Sequence, residues 1–531
     1  MSGRHPSRLA RPATRQRPAA RVGRSRALRL LAAPLLLATG LGAPPAHAQT
    51  DAEARVTACM QDELANRGTI GAQIAVMREG EMLYERGFGR KHRDRPDAVD
   101  TGTMFRIGST TKALTAFALM QLVDQGRLDL DAPITTYLED FALAEPGQAE
   151  AITTRHLLTH TSGLHDTSAM SEEDFWGRQD PGAMRAWVDR QRGQQPYAPA
   201  GRFWNYSSGN YMYAGQILER ITGESYQDYM DDHVFEPAGM TNTTMHAAEG
   251  VARGNFAYGH YNSPFSGQLE IFTLDEANNW ARHPTGYANA TAGDLVRFAT
   301  LMMNAGGDLL SADSVAAMSS RQQHRDLRED QYYGLGTFVE YFDGNEMVHH
   351  DGGAWGWTAT MKWIPEAGVA VATTTNGGGL LQGATACALR AYVPRGPDRS
   401  TPCRLDRNRW DDFIGTYEGS VNSGVPWTFE ITRPGGGDLQ LRLIREGAED
   451  RIERMSQDCS RWVNSGPGSF SVPGLGEITF IDDPVEPGVV WLRNRFFVAG
   501  KRSEAPEPTP TASPTPAPTG STLYIPVLKR S

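Results

Sequence analysis

The chain has 531 residues, 40% of them hydrophobic, so it is too long for one ordinary domain and apolar enough to bury a core. Its 62 acidic residues outnumber its 52 Lys and Arg residues. Such a protein lacks the basic surface that phosphate binding requires, so the composition argues against a nucleic-acid partner. After residue 50, no apolar run in the sequence is long enough to span a bilayer.

Residues 1–48 differ in composition from the rest of the chain. They contain nine arginines, no acidic residue, the apolar run from Leu28 to Leu41 and then Ala46-His47-Ala48. This order is typical of a secretory signal peptide cleaved after Ala48, with a membrane anchor as the alternative. Removal of that segment would lower the net charge from −10 to about −19. We therefore expect an exported protein that is extracellular, periplasmic or bound at the cell surface.

The domain that follows, residues 49–398, is predicted to be of the α+β class. A helix is expected over residues 51–66, followed by two strands, 70–77 and 82–87, joined by a hairpin turn. Helices fill the middle of the domain, and further strands close it. A sheet built from both ends of the domain, with helices inserted between them, accounts for this order. The closing strands are predicted over residues 334–341, 347–350, 358–364 and 369–375.

A change in composition near residues 393–408 separates a second domain, residues 409–503. Short β-prone runs alternate there with Gly and Pro turns, which favours a small antiparallel barrel or sandwich. Residues 504–522 form a Pro/Thr-rich linker. The final segment, residues 523–531, is hydrophobic with a basic tip. It is interpreted as a sticky terminal strand or, alternatively, as a tag for cell-wall or surface attachment.

The chain has four cysteines, Cys59, Cys387, Cys403 and Cys459, which fit an oxidising compartment and allow three pairings. We expect Cys387 to pair with Cys403, because both flank a connector rich in Pro and Gly. No Cys-x-x-Cys occurs, which argues against zinc bound through paired cysteines.

His156 and His160 lie four residues apart on a helix predicted over residues 153–163, so a metal pair is the alternative reading there. No Glu completes His-Glu-x-x-His, and we expect packed, hydrogen-bonded histidines instead. We expect neither a metal nor a cofactor.

Ser109-Thr-Thr-Lys112 stands at the start of a long apolar segment, residues 113–123, which contains no Pro or Gly. A helix that is apolar on all sides is usually buried, and Lys112 lies on the same face as Ser109, one turn later. A serine hydroxyl is a weak nucleophile until a base removes its proton, and burial lowers the pKa of a lysine enough for that task. A serine N-cap followed by a snorkelling lysine is the alternative.

Catalysis by this pair requires further groups. A second acid or base must carry the proton to the leaving group, and Tyr206 in Tyr206-Ser-Ser208 is the candidate. His350-Asp-Gly352-Gly353 provides a strand with small residues, along which a substrate backbone can lie. A packed aromatic residue and an ordinary strand end are the alternatives for these two motifs.

The order and spacing of these motifs resemble the serine β-lactamase and penicillin-binding protein family, in its class C branch. That branch includes D-alanyl-D-alanine carboxypeptidases and many esterases. The resemblance implies a β-lactamase/transpeptidase-like antiparallel sheet flanked by helices, a helical subdomain, and a lipocalin-like barrel after residue 409. It covers residues 55–395 and rests on Phe105–Lys112, His156–Leu164, Tyr206–Tyr211, Glu236–Met240 and His350–Gly353.

The resemblance also implies a role for each residue of the site. Ser109 would be the acylated nucleophile, while Lys112 and Tyr206 would share the proton transfers, with the resting base left open between them. The backbone N–H groups of Ser109 and Gly353 would bind the oxyanion, beside Gly352. His350 would hydrogen-bond Tyr206 and meet a substrate carboxylate.

Two positions depart from the family pattern. Ser208 stands where the second motif usually ends in Asn, and its hydroxyl offers one donor instead of two. His350 stands where the third motif usually begins with Lys, and it carries less charge at neutral pH. Both departures favour an ester or a small D-amino-acid peptide amide over a β-lactam.

The sequence therefore predicts an exported serine hydrolase that forms an acyl-enzyme on Ser109 and acts on a small-molecule ester, peptide or β-lactam-like substrate. A β-lactamase or D-alanyl-D-alanine carboxypeptidase is one alternative. A non-catalytic peptidoglycan- or peptide-binding protein that kept the fold is another.

Overall fold

A computed structural model describes residues 50–166, 177–263, 267–324, 331–399, 407–421, 426–444, 451–457, 469–472, 476–494 and 497–502. The predicted signal peptide, the Pro/Thr-rich linker and the terminal segment 523–531 lie outside the described residues, as do Cys403 and Cys459. Within the described ranges, no helix is both long enough and apolar enough to cross a membrane.

An eight-stranded antiparallel sheet forms the centre of the first domain, in the order β2-β1-β12-β11-β10-β9-β8-β7. As predicted, it joins the two ends of the domain, because the early strand β1 pairs with the late strand β12. Its eight strands, and four short ones that pair as β3 with β6 and β4 with β5 outside the sheet, have the following bounds. They are β1 (Gly71–Arg78), β2 (Glu81–Gly89), β3 (Phe105–Arg106), β4 (Gly259–Asn262), β5 (Leu269–Phe272), β6 (Asn289–Ala290), β7 (Gln323–His324), β8 (Tyr332–Tyr333), β9 (Phe338–Phe342), β10 (Asn345–Ala354), β11 (Trp357–Ile364) and β12 (Val369–Thr375).

Helices cover the sheet and build a helical subdomain beside it. They are α1 (Asp51–Arg67), α2 (Thr111–Asp124), α3 (Thr154–Leu158), α4 (Ala183–Arg190), α5 (Ser208–Thr222), α6 (Tyr226–Met230), α7 (Ala247–Ala252), α8 (His283–Gly286), α9 (Ala292–Met303), α10 (Ala312–Ser319) and α11 (Gln382–Tyr392). Strand β1 is buried along nearly its whole length because both of its faces are covered. Ile74 and Val76 pack in a cluster with residues of α1 and α11, whereas Ala75 and Met77 enter the main core with α2 and α9.

The predicted helix over residues 153–163 is shorter than expected and ends at Leu158. His160 has a positive φ of 57°, which a continuing right-handed helix does not allow. His156 and His160 therefore do not share a helical face, and the alternative of a metal pair loses its geometric basis. Among the described residues, no group of three or more His, Cys, Asp or Glu side chains is placed to hold a metal ion.

The expected Cys387–Cys403 pairing is wrong, because Cys387 forms a disulfide with Cys59. Helices α1 and α11 pack side by side on one face of the sheet, which brings the two Cα atoms to 6.5 Å although 328 residues separate them in the chain. Cys387 pairs with Cys59 because helices α1 and α11 are in contact, although Cys403 is nearer in the sequence.

The predicted second domain contains a nine-stranded antiparallel sheet in the order β16-β15-β14-β13-β21-β20-β19-β18-β17. The ends of this order, β16 and β17, are separated in the chain only by Met455, and an aromatic cluster that includes Phe429 and Phe480 fills the interior. Antiparallel pairing is as predicted, while the lipocalin-like closure stays a prediction. The strands are β13 (Gly415–Val421), β14 (Pro426–Thr432), β15 (Gln440–Ile444), β16 (Arg451–Arg454), β17 (Ser456–Gln457), β18 (Ser469–Val472), β19 (Gly476–Asp482), β20 (Val490–Asn494) and β21 (Phe497–Lys501).

Candidate active site

Ser109 and Lys112 lie together at the start of α2. Ser109 is in a 3₁₀ turn, Gly108–Thr110, and the α-helix follows with Thr110 at its N-cap position, so Ser109 is not the cap of α2. Lys112 is fully buried and does not snorkel. Its Nζ lies 3.1 Å from Ser109 Oγ, within reach for proton transfer between the two groups.

Two more acceptors surround the Lys112 amine. Its Nζ donates to the carbonyl oxygen of Thr285 at 2.6 Å and lies 3.4 Å from Ser208 Oγ. Ser109 Oγ, Ser208 Oγ and the Thr285 carbonyl oxygen thus all lie within hydrogen-bond distance of Lys112 Nζ. The structure therefore brings Ser109, Lys112 and Ser208 into one cluster, with Thr285 as a member that the sequence did not indicate, because only its backbone takes part.

Tyr206 is half-buried and lies beside this cluster. Lys112 Nζ is 5.0 Å from the centre of the Tyr206 ring, and the ring of His160 is 4.3 Å away on centroids. The backbone on either side of Tyr206 is held by His160, whose carbonyl accepts from Asn205 N at 2.8 Å and whose Nδ1 accepts from Ser207 N at 3.2 Å. His160 is thus a packed histidine that fixes the Tyr206 segment.

The N-terminus of α5 is held by a carboxylate that the sequence did not single out. Asp166 Oδ1 accepts from the backbone N–H groups of Ser208, at 3.1 Å, and Gly209, at 3.4 Å. A negative charge at this end of a helix is favourable, because the helix dipole is positive there. The contact fixes Ser208 close to Lys112.

His350, on β10, has partners that differ from those expected. Its Nδ1–H donates to the Asp351 carbonyl at 2.7 Å, which leaves Nε2 to accept from the Tyr333 hydroxyl at 3.1 Å. The ring centroids of His350 and Tyr206 are 6.5 Å apart. Burial, and next the charge of Lys112, lower the pKa of His350 to about 3. With this pKa the buried His350 is neutral at neutral pH and offers no positive charge to a substrate carboxylate. Its contact with substrate stays a prediction.

The low pKa of His350 predicts an acid-side loss of stability. In the unfolded chain a histidine has a pKa of about 6.5, so between that pH and about 3 only the unfolded state binds the proton. The free energy of unfolding should therefore fall by about 2 kcal/mol between pH 7 and pH 5 through this group alone. Urea unfolding at both pH values should show a smaller fall for His350→Gln. An equal pH dependence in the variant would contradict the assignment.

The strand end that contains Gly352 and Gly353 lies directly against the turn of Ser109. A Cβ atom on Gly352 would overlap the Ile107 carbonyl oxygen and lie 2.7 Å from Ser109 N, and one on Gly108 would overlap Gly353 N. Gly108 also has a φ of +54°, which glycine adopts without strain. These glycines let β10 and the Ser109 turn touch, so the backbone N–H groups of Ser109 and Gly353 lie on adjoining segments.

This contact predicts that alanine substitution lowers the free energy of unfolding at Gly352 and leaves it nearly unchanged at Gly353. Gly352→Ala should lower the free energy of unfolding by about 2–3 kcal/mol, since the added methyl group pushes β10 away from Ser109. Gly353→Ala is the matched control, because its methyl group would meet nothing closer than Thr358 Cγ2 at 3.8 Å. Urea unfolding of both variants provides the comparison. Equal losses would show that close approach at Gly352 does not set the geometry of the site.

Comparison with known proteins shows the family of the chain. Residues 56–392 match the family model described as Beta-lactamase. Penicillin-binding protein 4 of Amycolatopsis lactamdurans is 33% identical over 324 residues, which are 58% of this chain and 81% of the relative. The crystal structure of SurE with D-Leu superposes with a TM-score of 0.63 at 25% identity, covering 85% of this chain and 100% of that one. The D-amino acid amidase from Ochrobactrum anthropi SV3 gives a TM-score of 0.53 at 25% identity, covering 64% and 98%. The chain belongs to the β-lactamase family and is a serine hydrolase of that family.

Proposed function

We propose that this protein is an exported hydrolase that forms an acyl-enzyme on Ser109 and hydrolyses small esters or D-amino-acid amides. The observation that carries the proposal is the distance of 3.1 Å between Lys112 Nζ and Ser109 Oγ, in a cluster that also contains Ser208 and lies beside Tyr206. A pure binding protein has no need for a buried amine aimed at a serine hydroxyl, which argues against the non-catalytic alternative.

The reaction is a two-step acyl transfer. Ser109 Oγ attacks the substrate carbonyl and loses its proton to the pair formed by Lys112 and Tyr206, while the negative charge on the carbonyl oxygen is held by the N–H groups of Ser109 and Gly353. The same pair returns a proton to the departing alcohol or amine. Water then attacks the ester on Ser109 and gives up a proton to that pair. The acyl–Oγ bond breaks, the pair returns the proton to Ser109 Oγ, and the acid is released.

The substrate preference follows from charge. His350 is neutral and hydrogen-bonded to Tyr333 and Asp351, so it does not provide the cation with which the family's third-motif lysine meets a carboxylate. Ser208 provides one hydroxyl donor in place of an amide. Both features support esters and amides that carry no carboxylate. The similarity to a D-amino acid amidase and to a SurE structure with D-Leu supports a D-configured acyl group.

A second candidate function is acylation by penicillin. The observation that favours it is the 33% identity with penicillin-binding protein 4 over 324 residues. The neutral state of His350 argues against rapid turnover, because the carboxylate of a penicillin would meet no charge from that side chain.

One panel of substrates separates these functions. We would compare kcat/KM for p-nitrophenyl butyrate, D-phenylalanine p-nitroanilide, its L enantiomer and benzylpenicillin on the full chain. We expect turnover of the ester and of the D-anilide, with the D enantiomer favoured by about tenfold or more. Rapid hydrolysis of penicillin with no turnover of the other compounds would contradict the proposal.

Export is part of the proposal and is supported by the basic and apolar order of residues 1–48 and by the Cys59–Cys387 disulfide, a bond typical of oxidising compartments. Attachment to the cell surface through residues 523–531 is a further prediction. Deletion of residues 504–531 should move the protein from the cell envelope to the medium, and unchanged fractionation would contradict the attachment.

A further inference from the structure

The second domain packs against the segment that precedes Tyr206. Ala198 and Phe203 of the first domain form an apolar cluster with Ile481 and Val498 of the second. The ring of Trp491, on β20, lies 5.4 Å from that of Phe203. The two domains thus share a small core only a few residues from the candidate active site.

Arg493, on β20, contacts Trp204, which lies two residues before Tyr206. It is buried, its Nη1 donates to the carbonyl oxygen of Trp204 at 2.6 Å, and its guanidinium carbon lies 5.1 Å from the Trp204 ring centre. A planar guanidinium can donate in its plane and stack on an aromatic face at the same time. Arg493 therefore fixes both the backbone and the ring of Trp204, two residues before Tyr206.

A second contact reaches the other side of Tyr206. Ser420 Oγ, on β13, lies 3.2 Å from His165 Nε2, and the His165 carbonyl accepts from Ser207 Oγ at 3.4 Å. The next residue, Asp166, holds the N–H of Ser208. The second domain thus touches the backbone supports of Tyr206 on both flanks.

A third contact joins the same two domains farther from Tyr206. Arg202 Nη1 lies 2.7 Å from Asp483 Oδ1 and 3.2 Å from Glu486 Oε1. Asp483 also accepts from Trp491 Nε1 at 2.7 Å. This ion pair joins the domains without touching the backbone of residues 204–209. Its removal therefore tests the effect of weaker domain docking without a direct change at Tyr206.

We propose that Arg493 is a positioning residue for Tyr206, and that the second domain is part of the catalytic unit. The role of Tyr206 in proton transfer rests on the proposed function. Proton transfer requires heavy atoms within hydrogen-bond reach, and a displacement of about 1 Å in a catalytic group can cost about 10²-fold in rate. The contacts of Arg493 with Trp204 and of Ser420 with His165 fix the backbone before and after Tyr206 and so hold its ring beside Lys112. The Arg202–Asp483 ion pair docks the domains but fixes neither of these two backbone segments.

The kinetic test compares three variants of the full chain with a p-nitrophenyl ester. Arg493→Met should lower kcat by about tenfold or more and leave KM within about threefold, because Tyr206 acts on the reacting atoms and not on binding. Arg493→Lys should recover part of kcat, since an ammonium can donate to the Trp204 carbonyl but cannot stack as a plane. Arg202→Met removes a partner of the buried Asp483 carboxylate and should lower stability. It should leave kcat within about twofold, because the ion pair does not touch the backbone of residues 204–209. Equal losses in the Arg493→Met and Arg202→Met variants would overturn the proposal.

Hydrogen exchange provides a readout that does not depend on activity. Peptides covering residues 203–209 should exchange faster in Arg493→Met than in the wild type, and not in Arg202→Met. If Arg493→Met does not fold, Ser420→Ala removes a single hydroxyl at the second flank and should show the same local effect. Unchanged exchange in residues 203–209 would overturn the positioning role. If Ser109→Ala kept the turnover of the wild type, the proposed function would be refuted. Hydrogen exchange of residues 203–209 would still decide whether Arg493 positions the Tyr206 segment.

Discussion

Replacement of Lys112 by methionine is expected to lower kcat for a p-nitrophenyl ester by about 10³-fold, with the fold retained. The range for loss of a general acid–base group is about 10² to 10⁴. The amine contacts Ser109 Oγ at 3.1 Å and Ser208 Oγ at 3.4 Å, so the substitution removes one member of the Lys112–Tyr206 proton-transfer pair and a hydrogen-bond partner of Ser208. Methionine keeps the apolar stem inside the core around α2. Steady-state kinetics on the purified variant measure the effect.

Lys362 is a matched control for that substitution. It is also a buried lysine, on β11, and its Nζ donates to Gln382 Oε1 at 2.8 Å. Burial alone would raise the pKa of Asp351, and Lys362 is the main group that lowers it overall. Lys362→Met should therefore reduce stability and leave kcat nearly unchanged. If Lys112→Met kept kcat within about threefold of the wild type, the proton would have to leave Ser109 by another route.

Ser109→Ala is expected to lower kcat for a p-nitrophenyl ester by about 10⁴-fold or more. The acyl-enzyme on Ser109 cannot form in this variant, because the attacking oxygen atom is gone. The substitution deletes one oxygen from a half-buried side chain that does not cap α2, so the free energy of unfolding should change by less than about 1 kcal/mol. Unfolding curves measured beside the kinetics separate loss of chemistry from loss of fold.

The sequence predicts those features of the fold that arise from local pattern. Strands β1 and β12 and the buried helix α2 are predicted correctly, because each is an apolar run bounded by turn residues. By contrast, β16, with the sequence Arg-Ile-Glu-Arg, has little strand propensity of its own and exists because it pairs with β15. Tertiary pairing creates such strands, so local pattern does not reveal them.

In the candidate site, too, the sequence predicts some features and not others. Motif order identifies Ser109, Lys112 and Tyr206, because their residue types and spacing are themselves the signal. The environment of each residue is not encoded locally. His350 occupies the expected position, yet its neutral state comes from burial and from Lys112, which lies on another element. The contact of Arg493 with Trp204 joins residues 289 positions apart, and the Cys59–Cys387 bond joins residues 328 apart.

Intact-mass analysis after a brief incubation with a p-nitrophenyl ester would show whether Ser109 is acylated. We expect the wild-type protein to gain the mass of one acyl group on the peptide that contains Ser109, and Ser109→Ala to show neither the adduct nor turnover. Lys112→Met should form the same adduct, only far more slowly. An adduct of equal yield on Ser109→Ala, or ester hydrolysis at the wild-type rate by that variant, would contradict an acyl-enzyme on Ser109.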